Sequence, residues 1–258
     1  MRKHPYVDAL LYRRMPPALE PVSVSVVIPV YRDSAALAAM LDAVDWSGAQ
    51  VIVAAAADDA TIETVRRRRP DLMWTEAPRG RARQMNAGAG LARGEWLVFV
   101  HADSRLPRGW RTAIDEAARH SNVALGCYRF ALDSPSWFAR ALEAGVRVRV
   151  ALAGLPYGDQ ALFLRRSLFE AAGGFADLPI MEDVDLVRRM RREGRLFRST
   201  LPVVTSARRW ERDGWVRRTA LHLALIALYF CGVPPERLVR LDRARAPHPE
   251  SPGPRMSL

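Results

Sequence analysis

Lysine is almost missing from this chain: of its 39 lysine and arginine residues, all but Lys3 are arginine. The skew itself reads as a genomic preference for Arg and Ala codons. The resulting charge of +11 at pH 7 still has a physical meaning. A basic surface favours nucleotide phosphates, anionic lipid headgroups or nucleic acid as partners. Cysteine is scarce too. Cys127 and Cys231 stand far apart, and neither belongs to a Cys-x-x-Cys pair. That argues against a zinc cage or disulfide framework and for a reducing cytoplasm. The opening "MRKHPYVDALLYRRMPP" lacks the apolar stretch of a secretory signal. There is no internal repeat, and no apolar run reaches the ~20 residues that a bilayer-crossing helix needs. The most apolar segment, "ALHLALIALYFCGV" at 220–233, is interrupted by His222. It reads as a core helix. The rival reading is an interfacial helix resting on the inner face of a membrane, with Arg217 and Arg218 just before it.

What is present is an ordinary globular balance, 49% hydrophobic and 26% charged over 258 residues. That is enough chain for one large α/β domain or two small ones with a sizeable core. Residues 1–20 read as a basic arm, and 243–258, rich in Pro, Arg and Ala, as a disordered tail. Between them "VSVSVVIPV", "AQVIVAAAA", "DLMWTEA" and "EWLVFVHAD" predict buried strands. Helices are expected in "DSAALAAMLDAV", capped by Asp33 or Ser34, in "TIETVRRRR", and after the Gly/Arg-rich "PRGRARQ". This alternation implies an open parallel sheet with helices on both faces. Further on, "VALGCYRFALD" predicts a strand and "SWFARALEAGVRVRVALAG" an amphipathic helix. "YGDQALFLRRSLFEAAGGF" holds a strand and a short helix, and a further helix opens in "LPIMEDVDLVRRMRREGR" and ends at Gly194.

Ligands of such sheets lie at the carboxyl ends of the strands. Pro29 to Arg32, Asp58-Asp59 and Asp103 all fall at such ends. A charge at the mouth of a core strand is costly unless something binds it. A second acidic cluster, Glu182-Asp183, follows some way along the chain. One carboxylate holding a divalent cation and another taking a proton would suit a reaction in which a diphosphate departs. Each cluster also has a structural reading. Asp103-Ser104 could cap a turn before Pro107, and Glu182, Asp183 and Asp185 could simply favour a helix N-terminus.

Four segments carry a resemblance: "VSVVIPVYRD", "GRARQMNAGAGLARGEWLVFVHADSRLP", "PYGDQALFLRRSLFEAAGGFADLPIMEDVDLVRRMRREGR" and "TSARRWERDGWVRRTALHLALIALYFCGVPPERLVRL". In their order and spacing they resemble the family 2 glycosyltransferases of GT-A fold, an α/β Rossmann-like open mixed sheet flanked by helices. More narrowly, they resemble the bacterial subgroup labelled radical-SAM/selenodomain-associated glycosyltransferase. The resemblance implies a single domain over 21–242, with a nucleotide-binding half at 21–107 and an acceptor half at 108–242. It implies an inverting transfer from a nucleotide-diphosphate sugar, UDP-linked by preference, to a hydroxyl acceptor that is either lipid-linked or a soluble metabolite. Pro29, Val30 and Tyr31 would line the base pocket, and Arg81, Gln84 and Asn86 would position the donor. His101, Ala102 and Asp103 take the place of the family's Asp-x-Asp motif, so Asp103 would hold Mg²⁺ or Mn²⁺. Asp183 would be the general base, with Glu182 beside it. Tyr157, Gly158, Asp159 and Gln160 would border the acceptor, where Arg209 and Trp210 could clamp phosphate and stack on a sugar.

Two departures stand out. Ala55 sits near the place where relatives carry an Asp that helps bind base or ribose, with Asp58 or Asp59 as the substitute. His101 stands where the first Asp of the metal motif would be. Two other functions fit parts of the chain. A sugar-phosphate nucleotidyltransferase would carry a Gly-rich loop after the first strand, and "VIPVYRDSAAL" has no glycine. A basic nucleic-acid- or membrane-binding protein with a degenerate site fits the charge. Its arginines, however, are scattered rather than banded with aromatics, so no specific nucleic acid is expected.

Overall fold

The computed structural model describes residues 21–245. The expected arm at 1–20 and most of the expected tail lie outside the described residues. The chain begins with a strand–helix alternation: β1 (Val24–Val30), α1 (Ser34–Ala43), β2 (Ala49–Ala56), α2 (Glu63–Arg68), β3 (Met73–Ala77), α3 (Arg81–Gly90) and β4 (Trp96–Phe99). β1 lies between β2 and β4, parallel to both, and β3 is parallel to β2. Every residue of β1 is buried, because helices cover both sheet faces and leave no side for polar alternation. Val26 and Ile28 pack with Leu37, Met40 and Ile114, while Val27 faces Ala82, Met85 and Leu97 in the opposite layer. The small residues of α3 have a steric reason. A Cβ at Gly88 would come within 2.5 Å of Val27 Cγ1, so the helix can lie this close to the sheet only without one.

The remaining elements are β5 (Ser104–Arg105), α4 (Arg111–Ala118), β6 (Val123–Leu132), α5 (Trp137–Ala153), β7 (Phe163–Arg165), α6 (Arg166–Ala171), α7 (Glu182–Glu193), β8 (Arg195–Thr205), α8 (Arg208–Asp213), α9 (Trp215–Phe230) and α10 (Pro235–Arg245). The sheet order is β3-β2-β1-β4-β7-β6-β8-β5. β7 runs antiparallel to both β4 and β6, which makes the sheet mixed.

Several expectations shift. β8 falls in "RLFRSTLPVVT", where the sequence pattern predicts no strand. Its charged start and Pro202 hide it, and pairing with β6 restores it across a register irregularity between Cys127/Arg198 and Arg129/Pro202. The strand predicted up to Asp103 stops at Phe99, after which the chain turns and Ser104 N–H bonds the His101 carbonyl at 3.0 Å. Asp33 makes no capping bond to α1. Its carboxylate is instead paired with the Arg208 guanidinium, far away in sequence. α9 buries Arg218, Leu221 and Leu225 and leaves its other face to solvent, so it is a surface helix rather than a core one. No helix among the described residues is long and apolar enough to cross a membrane.

Candidate active site

The ends of β1, β4 and β8 meet at two adjoining cavities. The smaller, about 200 Å³, is lined by Pro29, Val30, Tyr31, Asp33, Gln84 and Ala102. The larger, about 470 Å³, is lined by Tyr157, Asp159, Asp183, Trp210, Arg218 and His222, among others. Arg81, His101, Asp103 and Arg209 line both and form the wall between them.

The wall is dense in charge. Arg81 Nε lies 2.7 Å from Glu182 Oε1. Burial pushes the Glu182 carboxyl up, against the pull of Arg81. Glu182 is therefore a counter-ion held behind the wall, and it lines neither cavity. Asp103 meets Arg208 at 3.4 Å and Arg209 at 3.9 Å. Burial, with Arg81, Arg218 and Arg208 nearby, disfavours the Arg209 cation despite Asp103. An anion arriving in the cleft would relieve that repulsion. His101 is driven down to about 3, first by burial and then by Arg81 and Arg209, so it stands as a neutral imidazole.

Asp183 is fixed by the backbone. Its Oδ2 accepts from Gly158 N–H at 2.7 Å and its Oδ1 from Val184 N–H at 2.8 Å. Gly158 must be glycine for this approach, since a Cβ would lie 2.9 Å from His101 Nε2 and 3.2 Å from Asp183 Oδ2. Met181, just before the acidic pair, has φ 69°, and Ala161 and Arg32 also sit at positive φ. All three flank the cavities or their strand ends, where locally strained backbone tends to gather. Beside Asp183, burial raises the Asp159 carboxyl to about 6, with Arg149 and Arg81 opposing and Asp183 and Asp103 adding to the rise. Asp159 Oδ1, Trp210 Nε1 and Arg218 Nε are buried without hydrogen-bond partners, and all three residues line the larger cavity.

The profile of glycosyl transferase family 2 matches residues 25–176. The chain belongs to that family. Two solved structures share its GT-A architecture. A mannosyltransferase from Pyrobaculum calidifontis, in complex with GDP-Man and Mn²⁺, aligns with TM-score 0.61 and 21% identity, over 84% of this chain and 67% of that one. Staphylococcus aureus TarS in complex with UDP-GlcNAc aligns with TM-score 0.55 and 13% identity, over 72% of this chain and 58% of that one. Among curated proteins none matches in sequence.

Within this glycosyltransferase the expected site residues divide. Pro29, Val30, Tyr31, Arg81, His101, Ala102, Asp103, Tyr157, Asp159, Asp183, Arg209 and Trp210 line one or both cavities. Gln84 touches the smaller cavity, but its amide donates to the Val30 and Ala54 carbonyls at 2.6 and 2.9 Å and holds two strand ends together. Asn86 lines neither cavity; it clamps the Phe175 backbone through both its amide groups. Gln160 is buried and lines neither cavity, donating to the Tyr128 carbonyl at 3.0 Å. Asp59 accepts from the Arg32 amide at 2.5 Å and from Thr61, so it shapes the turn after β1. Burial works against its charge, yet those bonds hold its carboxyl below the usual range. Arg218 and His222, noted in the sequence only as flanking and interrupting the apolar run, also line the larger cavity; their spacing of four is the signal that one helix face lines something.

Proposed function

We propose that the chain transfers a sugar with inversion from a nucleotide-diphosphate sugar, UDP-linked by preference, to a hydroxyl acceptor, with a divalent cation. The observation that carries this reading is the shared wall. Asp103 stands between the two cavities and Asp183 in the larger one. The smaller cavity takes the nucleotide and the larger takes the acceptor. Residues 21–242 act as one catalytic domain, of the subgroup the sequence resembles.

Among the described residues no group of three His, Cys, Asp or Glu forms a ready metal cage. A single carboxylate suits a cation that arrives with its phosphates, and Asp103 would hold Mg²⁺ or Mn²⁺ in that way. Such a cation neutralises charge on the departing diphosphate. Asp183 takes the proton of the acceptor hydroxyl as its oxygen bonds to the anomeric carbon. The bond from that carbon to the diphosphate oxygen breaks, and Arg81 and Arg209, which line both cavities, face the charge that develops. The mannosyltransferase bound to GDP-Man and Mn²⁺ and the TarS complex with UDP-GlcNAc support a nucleotide-sugar donor. Both cysteines are free, which supports a reducing, cytoplasmic setting.

The test is calorimetric titration of UDP, GDP and dTDP with and without Mn²⁺. Metal-dependent binding of one nucleotide is expected and would name the base. No binding of any would overturn the donor site, with Ala55 as the first suspect.

A further inference from the structure

Among the described residues, all the exposed large apolar side chains except Leu91 lie on three helices. Trp137, Val148 and Leu152 lie on α5, Val216, Leu223 and Phe230 on α9, and Leu241 on α10. They are arranged in stripes. On α5 Trp137, Ala141, Gly145, Val148 and Leu152 are all exposed, at steps of three and four. On α9 Val216, Ala220, Leu223, Ala227 and Phe230 repeat the pattern. That spacing puts each set on one helix face. The two helices approach each other at their N-terminal ends, where the Phe138 ring stacks on Trp137 at 3.8 Å and faces Trp215 at 6.3 Å. Trp215 in turn lies 6.4 Å from Trp210, which lines the larger cavity.

The charge around these stripes is net positive. α9 contains Arg217 and Arg218 and no acid, although Arg218 is buried against Asp213 and Asp242, and α5 contains Arg140, Arg147 and Arg149. The one acid of α5, Glu143, is buried and paired with Arg140. Arg188 lies over the Tyr229 and Phe230 rings at the far end of α9. Helices with an exposed apolar stripe and flanking arginines are built to lie in the headgroup region of an anionic bilayer. Contiguous exposed apolar stripes of this kind mark interaction sites.

We infer that the α5–α9 face docks the protein on an anionic phospholipid surface. Trp137, Leu223 and Phe230 insert among the acyl chains, and the exposed Arg147 and Arg188 meet the headgroup phosphates. The docking stands independently of the catalytic reading. What rests on that reading is the consequence that the acceptor cavity, joined to this face through Trp210 and Trp215, opens beside the membrane.

The experiment is co-sedimentation of the full chain with vesicles of phosphatidylcholine alone or mixed with phosphatidylglycerol. Binding to the mixed vesicles is expected to exceed binding to the neutral ones by about ten-fold or more and to weaken as salt rises. The double variant Leu223→Gln/Phe230→Gln keeps the charge, and it should lose most of that binding with an unchanged circular dichroism spectrum. Vesicles with brominated acyl chains should quench tryptophan fluorescence in the wild type, and less in Trp137→Phe. Equal binding by the double variant, or absence of quenching, would overturn the inference and leave simple charge attraction. So would self-association that the same substitutions abolish, because it would make the stripes a contact between copies. Metal-dependent nucleotide binding by the same preparation reports separately on the donor site.

Discussion

The two sides of the cleft are built on different plans. On the smaller-cavity side, polar side chains are satisfied by the scaffold: Gln84 ties the ends of β1 and β2, Asn86 clamps Phe175, and Asp59 fastens the turn at Arg32. On the larger-cavity side, Asp159, Trp210 and Arg218 each leave a buried polar atom without a partner. A buried, unpaired polar atom costs about 1–3 kcal/mol, a cost a ligand can relieve. One side is organised before anything binds, while the other keeps unmet hydrogen-bonding capacity. The proposed division, with the nucleotide donor in the smaller cavity and the acceptor in the larger, would account for that contrast.

The largest expected effect breaks the comparison at the wall. Asp183→Asn should lower turnover by about 10²–10⁴-fold while nucleotide binding, followed by calorimetry, is unchanged. Asp103→Ala should remove the Mn²⁺-dependent part of nucleotide binding, on the order of 2–3 kcal/mol, in the same titration. Unchanged binding there would refute its metal role. Gly158→Ala should cost about 1–3 kcal/mol in chemical denaturation, because its methyl group must displace His101 or Asp183. A wild-type midpoint would show that the approach has slack.

The pH dependence sharpens the acceptor side. The folded-state pKa of Asp159, about 6, lies above that of an unfolded aspartate. The stability this group contributes is full below the unfolded pKa of about 4 and lost as pH rises through about 6. Asp159→Asn should flatten that part of the stability curve, a difference of about 3 kcal/mol across the window. The smallest effect belongs to the scaffolded side. Asn86→Ala should cost about 1 kcal/mol or a little more and leave nucleotide affinity where it was. A large loss of affinity would make Asn86 a donor ligand after all.

Legibility followed the same divide. β1, β2 and β4 could be read from sequence because strands buried on both faces are written as continuous apolar runs. Asp103 and Asp183, singled out through the family resemblance, both line the larger cavity, although Asp103 follows a strand that ends at Phe99. β8 could not, since its strand character comes from pairing with β6 rather than from its own residues. Nor could the bracing roles of Gln84 and Asn86, whose partners lie 30 to 89 residues away. The Glu182–Arg81 and Asp33–Arg208 pairs are hidden in the same way: each joins segments whose proximity the fold alone creates.

The two-residue strand β5 has a reach beyond its size. Its Ser104 and Arg105 pair with Thr205 and Val204, Ser104 Oγ and Thr205 Oγ1 share a hydrogen bond of 2.8 Å, and Ser206 N–H bonds the Asp103 carbonyl. The loop bearing Asp103 is thus stitched to the segment that leads into Arg208 and Arg209. Whatever pulls on one pulls on the other. In the language of linked equilibria, a first substrate that shifts this stitch changes the affinity for the second, and the second changes the affinity for the first by the same factor.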